Sequence, residues 1–524
     1  MKKYLLLLIA VMLVNISRAA DGDIIEYEGL KYNVISEADH TVEVASRNSG
    51  SGNLIIPSYI LNNDTRYTVT SIGYKAFQFE YRITSVNIPK TVTMIDDYAF
   101  SFCSGLNEFI VEEGNEYFCA DDGALYNYDK SQLIICPCAR TDYKFPDSVT
   151  SVRSYAFYGC QYLTSITIPE TITTIDDLVF CECYALTEFV VEEGNKNFCS
   201  EDGVLFNYDK TQLIQCPQTK TEYVVPDSVT SINNGAFANC RGLSSITIPN
   251  SVINIGASAF VNCHELHSIT LPDSVVTIGI YAFANCNLRS ITIPNSVTTI
   301  EAYTFFSTHS LQSIIIPASV TSIGECAFFD SFVLKIIDLN PNPQSLGRDV
   351  FHNFGLEVYV PQGTLSAYKE ATGWSKFSNI HEMGSLDVTL NTSILELSIG
   401  KSAELTESIT KDDDITVKKS EWTSSNPAVA TVENGLVSAI TQGSAVITYT
   451  VFDNYGVAHT VSCNVTVTDQ NVYVNEILDE TSVDVYTLQG IRILRNAAAS
   501  DISTLPSGLY IVNRNNTVKK IVVK

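Results

Sequence analysis

Apolar positions in the middle of this chain fall into one repeating unit. Leu163, Ile166, Ile168, Pro169, Ile172, Ile175, Phe180 and Cys183 make one copy. Leu243, Ile246, Ile248, Pro249, Val252, Ile255, Phe260 and Cys263 make another, and Leu266, Ile269, Leu271, Pro272, Val275, Ile278, Phe283 and Cys286 a third. Within each copy the Leu-x-x-Ile-x-Ile stretch alternates with period two, which predicts a strand with one buried face. Proline ends that strand because it has no N–H to give to the ladder. A second aliphatic pair three residues apart, such as Val229 and Ile232, carries the chain round the turn, and the phenylalanine fills the far side. No helical period of ten or more residues interrupts the series, so long helices are not expected there.

The phenylalanines fall at Phe77, Phe100, Phe157, Phe180, Phe237, Phe260, Phe283, Phe305, Phe328 and Phe351, and Ala precedes seven of the ten. Most gaps are 23 residues, one is 22 and two are 57, which leaves room in each of those for a 34-residue insert. A period in the twenties marks a solenoid, whose coils bury their apolar faces only against neighbouring coils. Ten coils at a strand spacing of roughly 4.8 Å make a body about 50 Å long. The inserts, Glu108 to Pro137 and Glu188 to Pro217, copy each other. Apolar stretches flank Asn127-Tyr128-Asp129-Lys130 and Asn207-Tyr208-Asp209-Lys210, so each insert reads as a hairpin appended to the stack.

Residues 20–70 read as a strand-rich N-terminal cap. At the other end Leu365, Tyr368 and Ala371 share one side of a short helix, and Trp374 and Phe377 supply a lid for the last coil. Residues 386–468 change character. There Glu421-Trp422-Thr423-Ser424-Ser425-Asn426-Pro427, Val429-Ala430-Thr431-Val432 and Asn434-Gly435-Leu436-Val437 lead to a closing Cys463-Asn464-Val465-Thr466-Val467. Residues 472–524 hold Asp484-Val485-Tyr486-Thr487-Leu488-Gln489-Gly490, Leu505-Pro506-Ser507-Gly508-Leu509-Tyr510 and a closing Lys519-Lys520-Ile521-Val522-Val523-Lys524. The fold class expected is mainly β: a solenoid whose coils resemble leucine-rich repeats, then a β-sandwich, then a small β-rich tail.

Three family resemblances attach to these motifs. The Ile-x-Ile-Pro-x-x-Val-x-x-Ile-x-x-x-Ala-Phe signature resembles the repeats of BspA-like bacterial surface proteins, with the repeats and C-terminal cap placed at 71–382. It carries hydroxyls at Thr91, Ser148, Thr171, Ser228, Ser251, Ser274, Ser296 and Ser319 where the general leucine-rich consensus has asparagine, and these are expected to bond the backbone of the next coil. The 386–468 segment is similar to a group 2 bacterial Ig-like domain, with Trp422 as its core tryptophan. The tail resembles the C-terminal sorting signal of type IX secretion. Together these imply an exported, non-enzymatic surface protein of adhesin type. The partners implied are extracellular proteins or glycoproteins of a host or of other bacteria. A glycan-capturing component or a purely structural surface protein are the alternatives.

Charge and the N-terminus fit that picture. With a net charge of −26 the chain would be repelled by phosphate backbones and anionic lipid, so nucleic acid is not an expected partner. Lys2 and Lys3, the apolar run Tyr4 to Val14 and Ser17-Arg18-Ala19 read as a signal peptide over 1–19, and no later run suits a transmembrane span. Cys103, Cys160, Cys183, Cys240, Cys263 and Cys286 lie in one column and are expected as buried free thiols. Cys119 with Cys136 and Cys199 with Cys216 are the candidate disulfides, because they repeat a 17-residue spacing within the inserts. His264 and His267 sit beside Cys263 without aligned partners, and neither metal nor cofactor is expected. The candidate binding residues are the outward strand hydroxyls Ser165, Thr167, Ser245, Thr247, Ser268, Thr270, Ser290 and Thr292. Tyr158, Tyr162 and Tyr184, in the turns after the phenylalanine, are the candidate anchors.

Overall fold

In the computed structural model each repeat closes into one coil because its two apolar stretches form separate parallel rungs. The structure describes residues 20–523 apart from 49, 414, 469–471, 474–482, 503, 515 and 516; the expected signal peptide and part of the expected sorting tail lie outside the described residues. One compact unit ends at Glu382 and a second starts at Met383.

The longer rung of a coil is the period-two stretch. Ser165–Ile168 pairs in parallel with Glu188–Val191, and Ser313–Ile316 with Lys335–Asp338. The shorter rung is two residues long, as in Ser231–Ile232, Asn254–Ile255 and Thr277–Ile278. The Phe237 amide then donates to the Ala259 carbonyl at 2.8 Å, and the Phe260 amide to Ala282 at 2.8 Å. Turns on either side of the phenylalanine place residues in the left-handed region, such as Ser258 and Asn262 around Phe260, with φ of 55° and 60°. The phenylalanine rings themselves stack. Phe237, Phe260, Phe283, Phe305, Phe328 and Phe351 lie 5.1 to 5.7 Å apart between successive ring centroids and within 9° of parallel.

The inserts are coils, not appendages, which revises the expectation. Phe118–Asp121, Ala124–Asn127 and Gln132–Ile135 form an antiparallel trio around the expected turn, but Gln132–Ile135 then pairs in parallel with Ser151–Val152. The Cys136 amide donates to Ala156 at 2.8 Å, and that of Cys216 to Ala236 at 2.7 Å. These are the bonds a phenylalanine makes elsewhere, so Cys136 and Cys216 stand in the phenylalanine column of two divergent coils.

The same topology corrects the disulfide expectation. Cys119 and Cys136, like Cys199 and Cys216, are free thiols, as are all fourteen cysteines. Cys119 lies on the first strand of its trio and Cys136 follows the last, with Ala124–Asn127 between them. Two strand spacings, about 9.6 Å, exceed the roughly 4.4–6.8 Å a bridge needs between Cα atoms. The hydroxyl column bonds backbone as expected, but backward: Ser274 donates to Val252 at 2.7 Å and Ser319 to Val297 at 2.7 Å, each in the preceding coil. Thr171 and Ser251 are exceptions, their hydroxyls buried without a partner.

Both ends are covered. Thr41–Arg47 of the N-terminal sheet pairs in parallel with Thr65–Ile72, which pairs in turn with Met94–Ile95, so the cap runs directly into the first shorter rung. At the other end the helix Leu365–Glu370 buries Tyr368, whose hydroxyl donates to Asn340 O at 2.8 Å. The fully buried Trp374 donates from Nε1 to Gln344 O at 3.0 Å.

In the second unit, Ile394–Ser398, Ala458–Thr468, Gly443–Asp453 and Val417–Ser424 form one sheet, and Ser402–Glu404, Leu436–Ala439 and Ala430–Glu433 another. Between them lie Val437, Ile447, Cys463 and Val465. Trp422 packs at the edge of this core, partly buried, with its ring 4.6 Å from Tyr449. The described part of the tail has its own sheet, in which Val483–Tyr486 pairs with Arg492–Ala497 and Gly508–Arg514, and the latter with Thr517–Val523. No helix among the described residues is long and apolar enough to cross a membrane.

Candidate binding surface

Alternation on the longer rung sends every second side chain outward. Ser165, Thr167, Ser245, Thr247, Ser268, Thr270, Ser290 and Thr292 are all exposed there. Ser268 and Ser290 sit opposite each other across one rung, as do Thr292 and Ile315. Without rings or charges such a face offers little grip of its own, so affinity must come from its border.

The three candidate tyrosines have different surroundings. Tyr162 is exposed. Tyr184 is half-buried beneath Arg241, whose guanidinium lies 4.7 Å from the ring centroid and donates to the phenol oxygen at 2.7 Å. Glu182 stands 3.9 Å from the same guanidinium, and burial pushes its carboxyl above the ordinary range. Tyr158 belongs to a separate cluster of rings beside Phe102. His264 is partly buried, which lowers its imidazole's affinity for a proton, with the Arg241 charge as a second cause. Among the described residues no group of three or more His, Cys, Asp or Glu is placed to hold a metal.

Along the border of the longer rungs, one place stands apart. Phe332 and Leu334 are 61% and 62% exposed, beside a groove of about 780 Å³ lined also by Arg289, His309 and His352. The His309 ring lies 5.0 Å from Phe332, and its Nε2 is 3.2 Å from Asp330 Oδ2. The Ser307 hydroxyl, and then His309, hold the Asp330 carboxyl below its usual range. Phe332 and Leu334 are absent from the expected anchors because strict 23-residue counting puts Leu334 in the buried leucine column. The rung there is one residue shorter, so Val333 is buried and the Leu334 amide bonds Gln312 O at 2.9 Å. Leu334 thus stands in line with His267, Arg289 and Gln312, an apolar residue in a polar column.

Comparison with known proteins follows the coil geometry. The description "BspA type Leucine rich repeat region" matches residues 59–138, 131–224, 214–279 and 253–372. The chain belongs to the BspA-type leucine-rich-repeat family. Residues 387–461 of this BspA-type chain match "Bacterial Ig-like domain (group 2)". Among solved structures, it is similar to a leucine rich cell surface protein from Faecalibacterium prausnitzii at 24% identity, covering 67% of this chain and 98% of that one, with a TM-score of 0.38. It is similar to the pneumococcal vaccine antigen PcpA at 20% identity, covering 70% and 100%, with a TM-score of 0.37. A leucine-rich repeat protein from Bacteroides ovatus matches at 23% identity, covering 68% and 99%, with a TM-score of 0.30. No curated protein matches the chain.

Proposed function

We propose that this BspA-type chain is an exported bacterial surface protein that binds an extracellular protein through its solenoid, in the manner of an adhesin. The observation that carries this reading is the exposed pair Phe332 and Leu334 beside Arg289, His309 and His352. The two exposed apolar side chains give a partner segment an anchor point, and the Arg289 guanidinium on the same groove can pair with an acidic group of that segment. The hydroxyl face alongside supplies area and hydrogen bonds. Binding of the secreted chain to immobilised host matrix and bacterial surface proteins tests this. Saturable binding is expected, weakened at least about tenfold by Phe332→Ala, since truncating a central aromatic anchor costs about 2 kcal/mol or more. Saturable binding to none of them, or binding that ignores the substitution, defeats the proposal.

The route outward is proposed from the termini: residues 1–19 as a signal peptide and 472–524 as a type IX sorting tail. The limits 20–70, 71–382 and 386–468 for cap, repeats and Ig-like domain belong to the same reading. Deleting 472–524 is expected to hold the chain in the periplasm, seen by fractionation; unchanged surface display would rule out the sorting role.

A further inference from the structure

The first divergent coil does something that sequence spacing hides. It narrows at the edge beside the phenylalanine turns, where Cys138 Sγ reaches both Phe100 O at 3.7 Å and Tyr158 O at 3.8 Å. Coils 57 residues apart therefore touch. A Cβ on Gly159 would sit 2.9 Å from the Phe102 amide nitrogen, and Gly159 has φ of 80°. Rings from both sides meet across this junction: Tyr98 lies 4.3 Å from Tyr155 and 4.9 Å from Tyr158, and Phe102 lies 5.6 Å from Tyr158. The cluster continues to the preceding coil, where Tyr74 meets Tyr98 at 5.8 Å and Phe79 meets Phe102 at 4.7 Å. Phe79 also lies 6.2 Å from Tyr81. Tyr74, Phe79 and Tyr81 are 59%, 49% and 57% exposed.

The fold does not require these rings, because the chain contains its own comparison. At the second divergent coil, the positions of Tyr98, Phe102, Tyr155 and Tyr158 are held by Leu178, Glu182, Gly235 and Ala238. That junction closes with a single ring, Tyr184 beneath Arg241, together with a Gly235 whose Cβ would meet Leu178 at 2.2 Å and the Arg241–Glu182 pair. A continuous aromatic surface at the first junction thus serves something other than coil packing.

We propose that this surface is a binding platform for a neutral, linear polysaccharide, a site separate from the Phe332 groove. The C–H face of a sugar ring is weakly positive and stacks on the negative face of an aromatic ring. Between the rings stand groups that bond sugar hydroxyls: phenol oxygens, the Lys75 amine 4.9 Å over Tyr74, and the Arg153–Asp97 pair at 3.1 Å. Lys75 and Arg153 are offset by Asp96 and Asp97, and Glu80 and Asp176 lie close by in sequence or coil. The carboxylates there would repel an anionic polymer but not a neutral one.

Affinity electrophoresis of the full chain in native gels carrying mixed-linkage glucan, xyloglucan, galactomannan or α-mannan tests the platform. At least one is expected to retard the chain. Tyr74→Ala/Tyr81→Ala, which removes only exposed rings, is expected to weaken that binding by at least about tenfold. Tyr98→Leu/Tyr158→Ala, which writes in two residues of the second junction, is expected to do the same while its circular dichroism at the assay temperature stays that of the folded chain. Phe332→Ala is expected to leave retardation intact, so loss of the protein-binding reading and loss of this one are told apart. No retardation by any of the four, or retardation that both double variants keep, overturns the proposal.

Discussion

At the residue scale, the recurring cysteine has a definite bonding role. Cys103, Cys183, Cys263 and Cys286 each direct Sγ to the carbonyl oxygen of the phenylalanine one coil back, at 3.1, 3.1, 3.2 and 3.0 Å. Late in the array Ser331 takes the place, donating to Phe305 O. The column therefore selects a small side chain with a proton to give, which hydrophobicity alone does not explain. Cys263→Ser is expected to leave stability nearly unchanged, whereas Cys263→Ala leaves the Phe237 carbonyl with the Cys240 amide alone and should cost about 1 kcal/mol in urea unfolding. Equal losses for the two variants would show that only volume matters. Burial also pushes up the thiols of the deep Cys103 and of the half-buried Cys119 and Cys199, so they stay protonated and slow to react. Without reductant, denatured protein is expected to titrate with Ellman's reagent as fourteen thiols; ten would restore both bridges between Cys119 and Cys136 and between Cys199 and Cys216. The asparagines of the Asn-Cys dipeptides went unread in the sequence, although they too recur every 23 residues. Asn262 donates to Asn239 at 2.8 Å and Asn285 to Asn262 at 2.9 Å.

Element by element, the sequence is most legible where one face is buried and least where coils differ in length. Strand, proline and phenylalanine follow from alternation and can be counted. The divergent coils cannot, because a cysteine in the phenylalanine column is invisible until the Cys136–Ala156 bond is seen. The aromatic junction between Tyr98 and Tyr155 shares that cause, and the Phe332 groove follows from a single deleted residue. The C-terminal cap, by contrast, was evident from Tyr368 and Trp374, but it holds a group whose burial composition does not announce. Asp338 is fully buried, accepting from Gln344 Nε2 at 2.7 Å and from the Asn340 amide at 3.0 Å, and one oxygen has no partner. Desolvation raises its carboxyl from the usual 3.8 to about 6. The folded cap therefore holds this proton more tightly than the unfolded chain does. Its contribution is complete below pH 3.8 and is lost as pH rises through about 6, a change of order 3 kcal/mol. Asp338→Asn is expected to remove that dependence, so that wild type and variant diverge in urea midpoint between about pH 4 and about pH 6.5. Parallel curves across that range would place the proton elsewhere.

Over the whole solenoid, the divergent coils also partition the interior that a regular repeat would keep continuous. In the strand Ala124–Asn127, Leu125 packs into the core that runs from Ile25, while Ala124 and Tyr126 pack into the next. In Val204–Asn207, Leu205 faces that second core, and Val204 and Phe206 face the third, which continues to Ile380. Each such strand is a wall with one face to each compartment, and the shorter-rung sheet breaks after Thr174–Ile175. Since coils are stabilised by their neighbours, cooperativity should weaken at these walls, because fewer apolar contacts cross them. Phe260 lies deep in the third compartment, stacked between Phe237 and Phe283, and Phe260→Ala should cost about 3–5 kcal/mol there. Hydrogen exchange followed by mass spectrometry is then expected to show faster exchange across residues 204–380 with protection before Leu125 retained. Loss of protection spread evenly from the N-terminal cap to Ile380 would mean that the walls transmit unfolding and the solenoid behaves as one block. Retention would place the aromatic platform and the Phe332 groove in compartments that melt independently, so that either surface can be lost while the other still binds.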